Sequence, residues 1–307
     1  MHLALVGPTA SGKSDLAVRA ARELGDVEIV SVDSMQVYRG MDVGTAKATP
    51  AERGLVPHHL IDVAEPGEDW SVVRFQELAR SAIREIEGRG HRALLVGGTG
   101  LYFRSVVDAL EIPAADPALR VDLEAESEAP GGADALYRRL NAVDPVAASR
   151  TGPTNLRRMV RALEAIEASG RTFSSSGPGL AEHPHPAFPV LINGVWLPRR
   201  TLARRIVERF SQMADQGLVE EVEVLAARPG GLSRTARQAI GYREVLGYLE
   251  GTIPSLAEAF TLAANRTRGL ARRQRMWFRR DHRIAWLGAP EDPDSLLPAL
   301  LATWKAW

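Results

Sequence analysis

The stretch Gly7-Pro8-Thr9-Ala10-Ser11-Gly12-Lys13-Ser14 fits the pattern G-x-x-x-x-G-K-[ST] in full. His2 to Val6 before it is a short β-prone apolar run, and Lys13 to Leu24 after it has helical spacing. A glycine-rich loop between a strand and a helix is the setting in which this pattern binds phosphate. The glycines let the backbone wrap around oxyanions, and loop N–H groups and the helix N-terminus face the anion. Lys13 adds a point charge, and Ser14 is placed to hold Mg²⁺. The motif indicates phosphate or pyrophosphate; it does not separate kinase, ATPase and transferase.

The surrounding pattern extends this unit into a sheet. Val27 to Val32 is a second β-branched run, closed by Asp33-Ser34. Arg74 to Gly88 places Phe75, Leu78, Ala79, Ala82, Ile83 and Ile86 on one helical face, and Ala93 to Val96 is a third strand ended by Gly97-Gly98. Strand, helix, strand, helix, strand predicts an α/β fold with a parallel sheet, here a P-loop NTPase-like core. After Glu111 the texture becomes helical, with segments at 114–129, 133–140 and 155–169 and a Pro/Gly/His-rich connector at 177–189. Val190 to Leu197 reads as another strand, and the chain from Leu202 onward as mostly helical. The expected organisation is a catalytic core of residues 1–111 plus 191–307 with a mostly helical insert at 112–190.

Bulk composition narrows the classes. The chain has 307 residues, 45% of them hydrophobic, enough to bury a sizeable core. With no cysteine, a disulfide scaffold, a Cys-ligated zinc site and a cysteine nucleophile are excluded. The N-terminal apolar run lacks the basic start and length of a signal peptide, and no stretch approaches the length of a membrane span. A cytoplasmic protein without membrane attachment is the expectation. The 38 basic and 38 acidic side chains cancel, but nucleic-acid binding follows local patches and not the sum.

Two strand ends carry further chemistry. Asp33 stands at the carboxyl end of the second strand, the edge where parallel sheets bind ligands; it could equally be a helix N-cap. Gly97-Gly98-Thr99-Gly100 ends the third strand, where Thr99 offers a hydroxyl at the same edge or the segment is a simple turn. His58-His59 reads as structural, because adjacent side chains point apart and nothing nearby completes a metal site. Glu220, Glu221 and Glu223 read as a solvated helix face, and Trp196, Trp286, Trp304 and Trp307 as packing or surface residues.

In order along the chain, GPTASGKS, DSMQVYRGMDVGTAK (33–47), PHHLID (57–62) and GGTGLYFR (97–104) resemble the tRNA dimethylallyltransferases, also called tRNA isopentenyltransferases. RMVRALE (158–164), QAIGYRE (238–244) and RRQRMWF (272–278) agree, so the resemblance covers nearly the whole chain. It implies transfer of a dimethylallyl group from dimethylallyl pyrophosphate to the exocyclic amine of an adenine beside the anticodon, with Mg²⁺ as cofactor. It also implies that Asp33 is the catalytic base, that Thr99 holds the amine or a donor oxygen, and that Lys13 neutralises the leaving pyrophosphate.

Arg205 and Arg209, four apart on one helix face, would lie near that pyrophosphate, or else form a solvated face. Asp33, Ser34, Met35 and Gln36 would meet a flipped base, with Thr99 beside them. Contacts to the tRNA anticodon stem-loop fall, by the same resemblance, at Arg157, Arg158 and Arg161, at Gln238, Gly241, Tyr242 and Arg243, and at Arg272 and Arg275. Arg157 departs from the family pattern, which has Gln there. Arginines crowded from Arg266 to Arg283, with Asp281 the one acid among them, make a local basic patch suited to a phosphate backbone. A monomer is expected. Competing readings are an enzyme that prenylates free AMP, ADP or ATP, which needs no extended basic surface, a P-loop small-molecule kinase, and a nucleotide-gated RNA-binding module.

Overall fold

A computed structural model describes residues 1–108, 110–113, 115–175 and 186–306. Ala114, Trp307 and most of the connector expected at 177–189 lie outside the described residues. The chain forms two compact units, residues 1–107 with 186–307 and residues 108–185. Among the described residues, no helix is long and apolar enough to cross a membrane.

The first unit is built on six parallel strands, β1 (His2–Val6), β2 (Val27–Val32), β3 (His58–His59), β4 (Arg92–Gly97), β5 (Val190–Trp196) and β6 (Ala285–Gly288), in spatial order β3-β2-β4-β1-β5-β6. Its helices are α1 (Lys13–Leu24), α2 (Pro50–Leu55), α3 (Val72–Gly88) and α4 (Gly100–Val107). The second unit holds α5 (Pro117–Glu128), α6 (Gly132–Val143), α7 (Pro145–Thr151) and α8 (Leu156–Ser169). The first unit resumes with α9 (Arg199–Asp215), α10 (Leu218–Ala227), α11 (Arg234–Arg237), α12 (Tyr242–Leu249), α13 (Leu256–Phe278) and α14 (Leu297–Lys305).

The period-2 alternation of β1 sets the two faces of the sheet. Leu3 and Leu5 join a core with Leu16, Ala17 and Ala20 of α1 and with Leu300 and Trp304 of α14. Ala4 and Val6 join the opposite core with Phe75, Ala79, Ile83 and Ile86 of α3 and with residues of α9, α10, α12 and α13. The sheet is therefore covered on both sides, as parallel sheets require. Trp304 is fully buried, and its Nε1–H donates to Asn193 Oδ1 at 2.8 Å, so it serves packing.

Three elements were not legible. β6 is a short edge strand with exposed ends, inside a stretch whose many arginines read as helical. β3 is two histidines long and carries no apolar run. In α4 every residue from Tyr102 to Val107 is buried, which erases the amphipathic period a surface helix shows. α9 starts at Arg199, three residues before Leu202, with Pro198, whose fixed φ suits a helix entry, at its N-cap position.

At the opposite end of the strands from the phosphate loop, the buried Glu28 carboxylate accepts hydrogen bonds from Arg89 (2.9 and 2.8 Å), His59 Nε2 (2.7 Å) and His91 Nδ1 (2.9 Å). His58 Nδ1–H donates to Val56 O at 2.7 Å, so both histidines serve structure. The guanidinium of Arg89, outweighing burial, holds Glu28 down to about 2. A depressed carboxylate stabilises the fold above its unfolded value and loses that contribution as pH falls toward its folded value. Between about pH 4.5 and 2 the wild type is expected to lose on the order of 3 kcal/mol that Glu28→Gln does not. Urea unfolding of both proteins across that range checks this; parallel pH curves would contradict it.

In the second unit, Leu123, Leu136, Leu140, Met159, Val160 and Leu163 form the core. The buried Glu164 accepts from Arg120 (2.8 Å), from Arg161 (3.0 Å) and from the Asp116 N–H (2.8 Å).

Candidate active site

A cavity of about 700 Å³ opens at the carboxyl edge of β1, β2 and β4, wholly within the first unit. Its walls are residues of the loop after β1, the segments 33–36 and 43–46, the loop after β4, and side chains of α9 and α13.

The phosphate loop forms one wall. Ala10 (φ 62°) and Gly12 (φ 78°) both take the left-handed conformation. Backbone alternating in hand this way turns successive N–H groups toward one concavity. Thr9, Ala10, Gly12, Lys13 and Ser14 line the cavity. Gly7, Pro8 and Ser11 are buried beneath it, and the Ser11 hydroxyl has no hydrogen-bond partner among the described residues.

Arg205 Nε donates to Ala10 O at 2.9 Å, and Arg209 Nη1 to Thr9 Oγ1 at 3.2 Å. Both arginines of α9 thus reach the loop, where the sequence left open which one would. Lys13 Nζ donates to Pro8 O at 3.3 Å. Burial, and then the neighbouring Arg209 charge, push the Lys13 ammonium down to about 8, while Asp33 opposes the shift. Burial likewise lowers Arg209. Three cations packed this closely favour an anion between them.

The opposite wall carries Asp33 and Thr99. Asp33 Oδ1 accepts from the Met35 N–H at 2.8 Å, an Asx turn; no helix follows, so Asp33 is not a helix N-cap. No protein donor to Asp33 Oδ2 is seen among the described residues. Thr99 Oγ1 accepts from the Ser34 N–H at 3.4 Å, and the Thr99 N–H donates to Val32 O at 3.4 Å. This junction demands glycine at 97: a Cβ there would sit 2.0 Å from Val32 O. Ser34, Met35 and Gln36 also line the cavity. The Gln36 side chain, however, is engaged, accepting from the Ser31 hydroxyl at 2.8 Å and donating to Thr45 O and Ala46 O at 3.3 Å.

That same 42–46 loop is held from its other side by Glu221. Its carboxylate accepts from the N–H groups of Asp42 (3.0 Å), Val43 (2.8 Å) and Gly44 (3.2 Å) and from the Tyr242 hydroxyl (2.5 Å). Glu221 is therefore not part of a solvated helix face as its neighbours suggested. Tyr242, expected at an RNA surface, is fully buried beneath the loop. Lys47 Nζ, also buried, donates to Tyr38 O (2.7 Å) and to carboxylate oxygens of Asp42 (2.5 Å) and Asp62 (2.7 Å).

The remaining expected contact residues divide by exposure. Arg157, Arg158, Gln238, Arg243 and Arg272 are exposed. Arg161 is tied to Glu164 and to Pro113 O at 2.5 Å inside the second unit. Arg243 Nε donates to the buried Glu244 at 3.1 Å, which also pairs with Arg266 and caps the buried Gly241 N–H at 2.7 Å. Arg275 lies 5.2 Å over the Trp196 ring and is half-buried. Sequence reasoning missed Gln274 and Trp277, which line the cavity from α13. Both stand in the RRQRMWF segment, whose arginines are its strongest charge signal.

A family model described as IPP transferase matches residues 36–281, and one described as isopentenyl transferase matches residues 1–57. A tRNA dimethylallyltransferase of Kineococcus radiotolerans is 49% identical over 299 residues, covering 96% of this chain and 92% of that protein. One of Bifidobacterium adolescentis is 46% identical over 303 residues, covering 97% and 86%. Among solved structures, the tRNA isopentenylpyrophosphate transferase of Bacillus halodurans is 38% identical with a TM-score of 0.72, covering 99% of this chain and 95% of that one. A eukaryotic dimethylallyltransferase captured acting on tRNA is 25% identical with a TM-score of 0.78, covering 99% and 77%. With a family model spanning most of its length and relatives near half identity across nearly all of it, this chain belongs to the tRNA dimethylallyltransferase family.

Proposed function

We propose that this chain transfers the dimethylallyl group of dimethylallyl pyrophosphate to the exocyclic amine of the adenine 3′-adjacent to the anticodon of tRNA. The observation that carries the reading is a crowded cationic phosphate loop facing an Asp carboxylate across one cavity. The amine nitrogen forms a bond to the allylic carbon as the carbon–oxygen bond breaks, and pyrophosphate leaves. Adenine's amine is a weak nucleophile because its lone pair is shared with the ring. Asp33 takes its proton as the new bond forms. Thr99 orients the amine. Lys13, Arg205, Arg209 and the loop N–H groups receive the charge that develops on pyrophosphate. Flipping the base into the cavity is least costly from a single-stranded loop.

Mg²⁺ fits the residues present. Ser14 and Asp15 offer hard oxygen donors beside the phosphate loop, and among the described residues no cluster of three or more His, Asp or Glu competes for a metal. Magnesium commonly takes one or two protein oxygens and completes its shell with phosphate and water. Held by Ser14, it would supply further neutralisation of pyrophosphate.

Incubation with labelled dimethylallyl pyrophosphate and either tRNA or AMP tests the reading. Label is expected in tRNA; label in AMP would favour the free-nucleotide enzyme, and transfer of the ATP γ-phosphate to a small molecule a kinase. The chain is taken to act as a monomer in the cytoplasm.

Exposed arginines are assigned to the tRNA backbone: Arg157 and Arg158 on the second unit, and Arg243, Arg272 and Arg273 on the first. Because Arg275 stacks on Trp196, the pair to test is Arg272→Gln with Arg273→Gln. Each lost phosphate contact should lower the slope of log affinity against log salt by about 0.7–0.9. Preference for the correct anticodon loop should survive, because backbone contacts carry no sequence information. An unchanged slope in a salt titration would move the RNA surface elsewhere.

A further inference from the structure

Gln274 of α13 has one carboxamide and spends both ends of it on the two walls of the cavity. Its Oε1 accepts the Thr9 N–H at 2.8 Å, and its Nε2 donates to Gly98 O at 3.0 Å. Thr9 belongs to the phosphate loop, where its hydroxyl also receives Arg209. Gly98 immediately precedes Thr99. One side chain therefore ties the wall proposed to hold pyrophosphate to the wall proposed to hold the adenine amine. The fit around it is tight: a Cβ at Gly98 would lie 2.4 Å from Gln274 Nε2, and one at Gly100 would lie 2.2 Å from Trp277 Cδ1. The loop after β4 is thus pressed against α13.

We propose that Gln274 is a positioning residue, a strut that fixes the distance between the phosphate loop and the Asp33–Thr99 edge so that donor carbon and acceptor amine meet in line. This rests on the transfer reading above. In-line displacement is sensitive to small errors of placement, and a shift of about 1 Å can cost on the order of 10²-fold in rate. Gln274 touches neither reactant in this scheme. It also removes the Thr9 N–H from the donors open to phosphate, leaving that task to the N–H groups further along the loop.

Gln274→Met keeps the length and shape of the side chain and removes both hydrogen bonds. Expected for it are a kcat lower by about 10²-fold, an affinity for inorganic pyrophosphate weaker by about tenfold, and tRNA affinity within about twofold of wild type. Rates are normalised to the native fraction measured by circular dichroism, so that partial unfolding is not counted as lost chemistry. Gln274→Glu retains the acceptor for the Thr9 N–H but presents a carboxylate to the Gly98 carbonyl; it should resemble Met. The proposal is overturned if Met leaves both kcat and pyrophosphate affinity within about twofold, if tRNA affinity falls along with them, or if Glu restores kcat. Calorimetry with pyrophosphate alone reads the hold of Gln274 on the loop whether or not the wild type prenylates RNA. A wild type that binds pyrophosphate but labels no tRNA counts against the transfer reading and not against the strut.

Discussion

Asp33→Asn is expected to slow single-turnover transfer by about 10²–10⁴-fold, the usual contribution of a general base, with tRNA affinity little changed. Asparagine is the informative replacement because its side-chain oxygen can still accept the Met35 N–H, so the Asx turn that shapes the segment survives. What disappears is the basicity. A group that acts only as the bond forms should appear in kcat and not in binding. Filter binding of tRNA alongside rapid-quench kinetics separates the cases. Normal chemistry with lost tRNA binding would make Asp33 a residue that seats the base.

Lys13→Met should lower kcat by about 10²–10³-fold, as removal of a single charge-stabilising donor does elsewhere, with the fold intact. The ammonium does not hold the core together; among the described residues its one hydrogen-bond acceptor is Pro8 O. It sits where burial and Arg209 press it to about 8. The sign of the pH effect follows. The protonated form attracts pyrophosphate, so kcat/KM for the donor should decline as pH rises through about 8 in the wild type, and Lys13→Met should lack that limb. Near-normal turnover of the variant at saturating donor would remove Lys13 from the mechanism.

The parallel core could be read because its signals are local. β1, the phosphate loop and α1 lie in one continuous stretch, and apolar runs bounded by Gly and Asp mark β2 and β4. Glu221 and Tyr242 could not be read, since the three N–H groups that define Glu221 lie 177 to 179 positions away. Gln274 failed for the same reason, with partners 265 and 176 positions off. Arg161 and Arg275 were expected at the RNA surface, and sequence could not show that they also engage Glu164 and Trp196. Arg205 and Arg209 show the reverse. Their spacing gave a shared helix face, and only the tertiary fold set that face over the phosphate loop.

The central claim is that pyrophosphate and adenine meet inside this one cavity, on opposite walls. A crystal structure of the protein with a non-transferable thio-analogue of dimethylallyl pyrophosphate and an anticodon stem-loop tests it most directly. The account predicts phosphate oxygens against the loop N–H groups, Lys13, Arg205 and Arg209, and a flipped adenine whose amine lies about 3 Å from Asp33. An adenine amine facing another group, with Asp33 left to solvent, would contradict it.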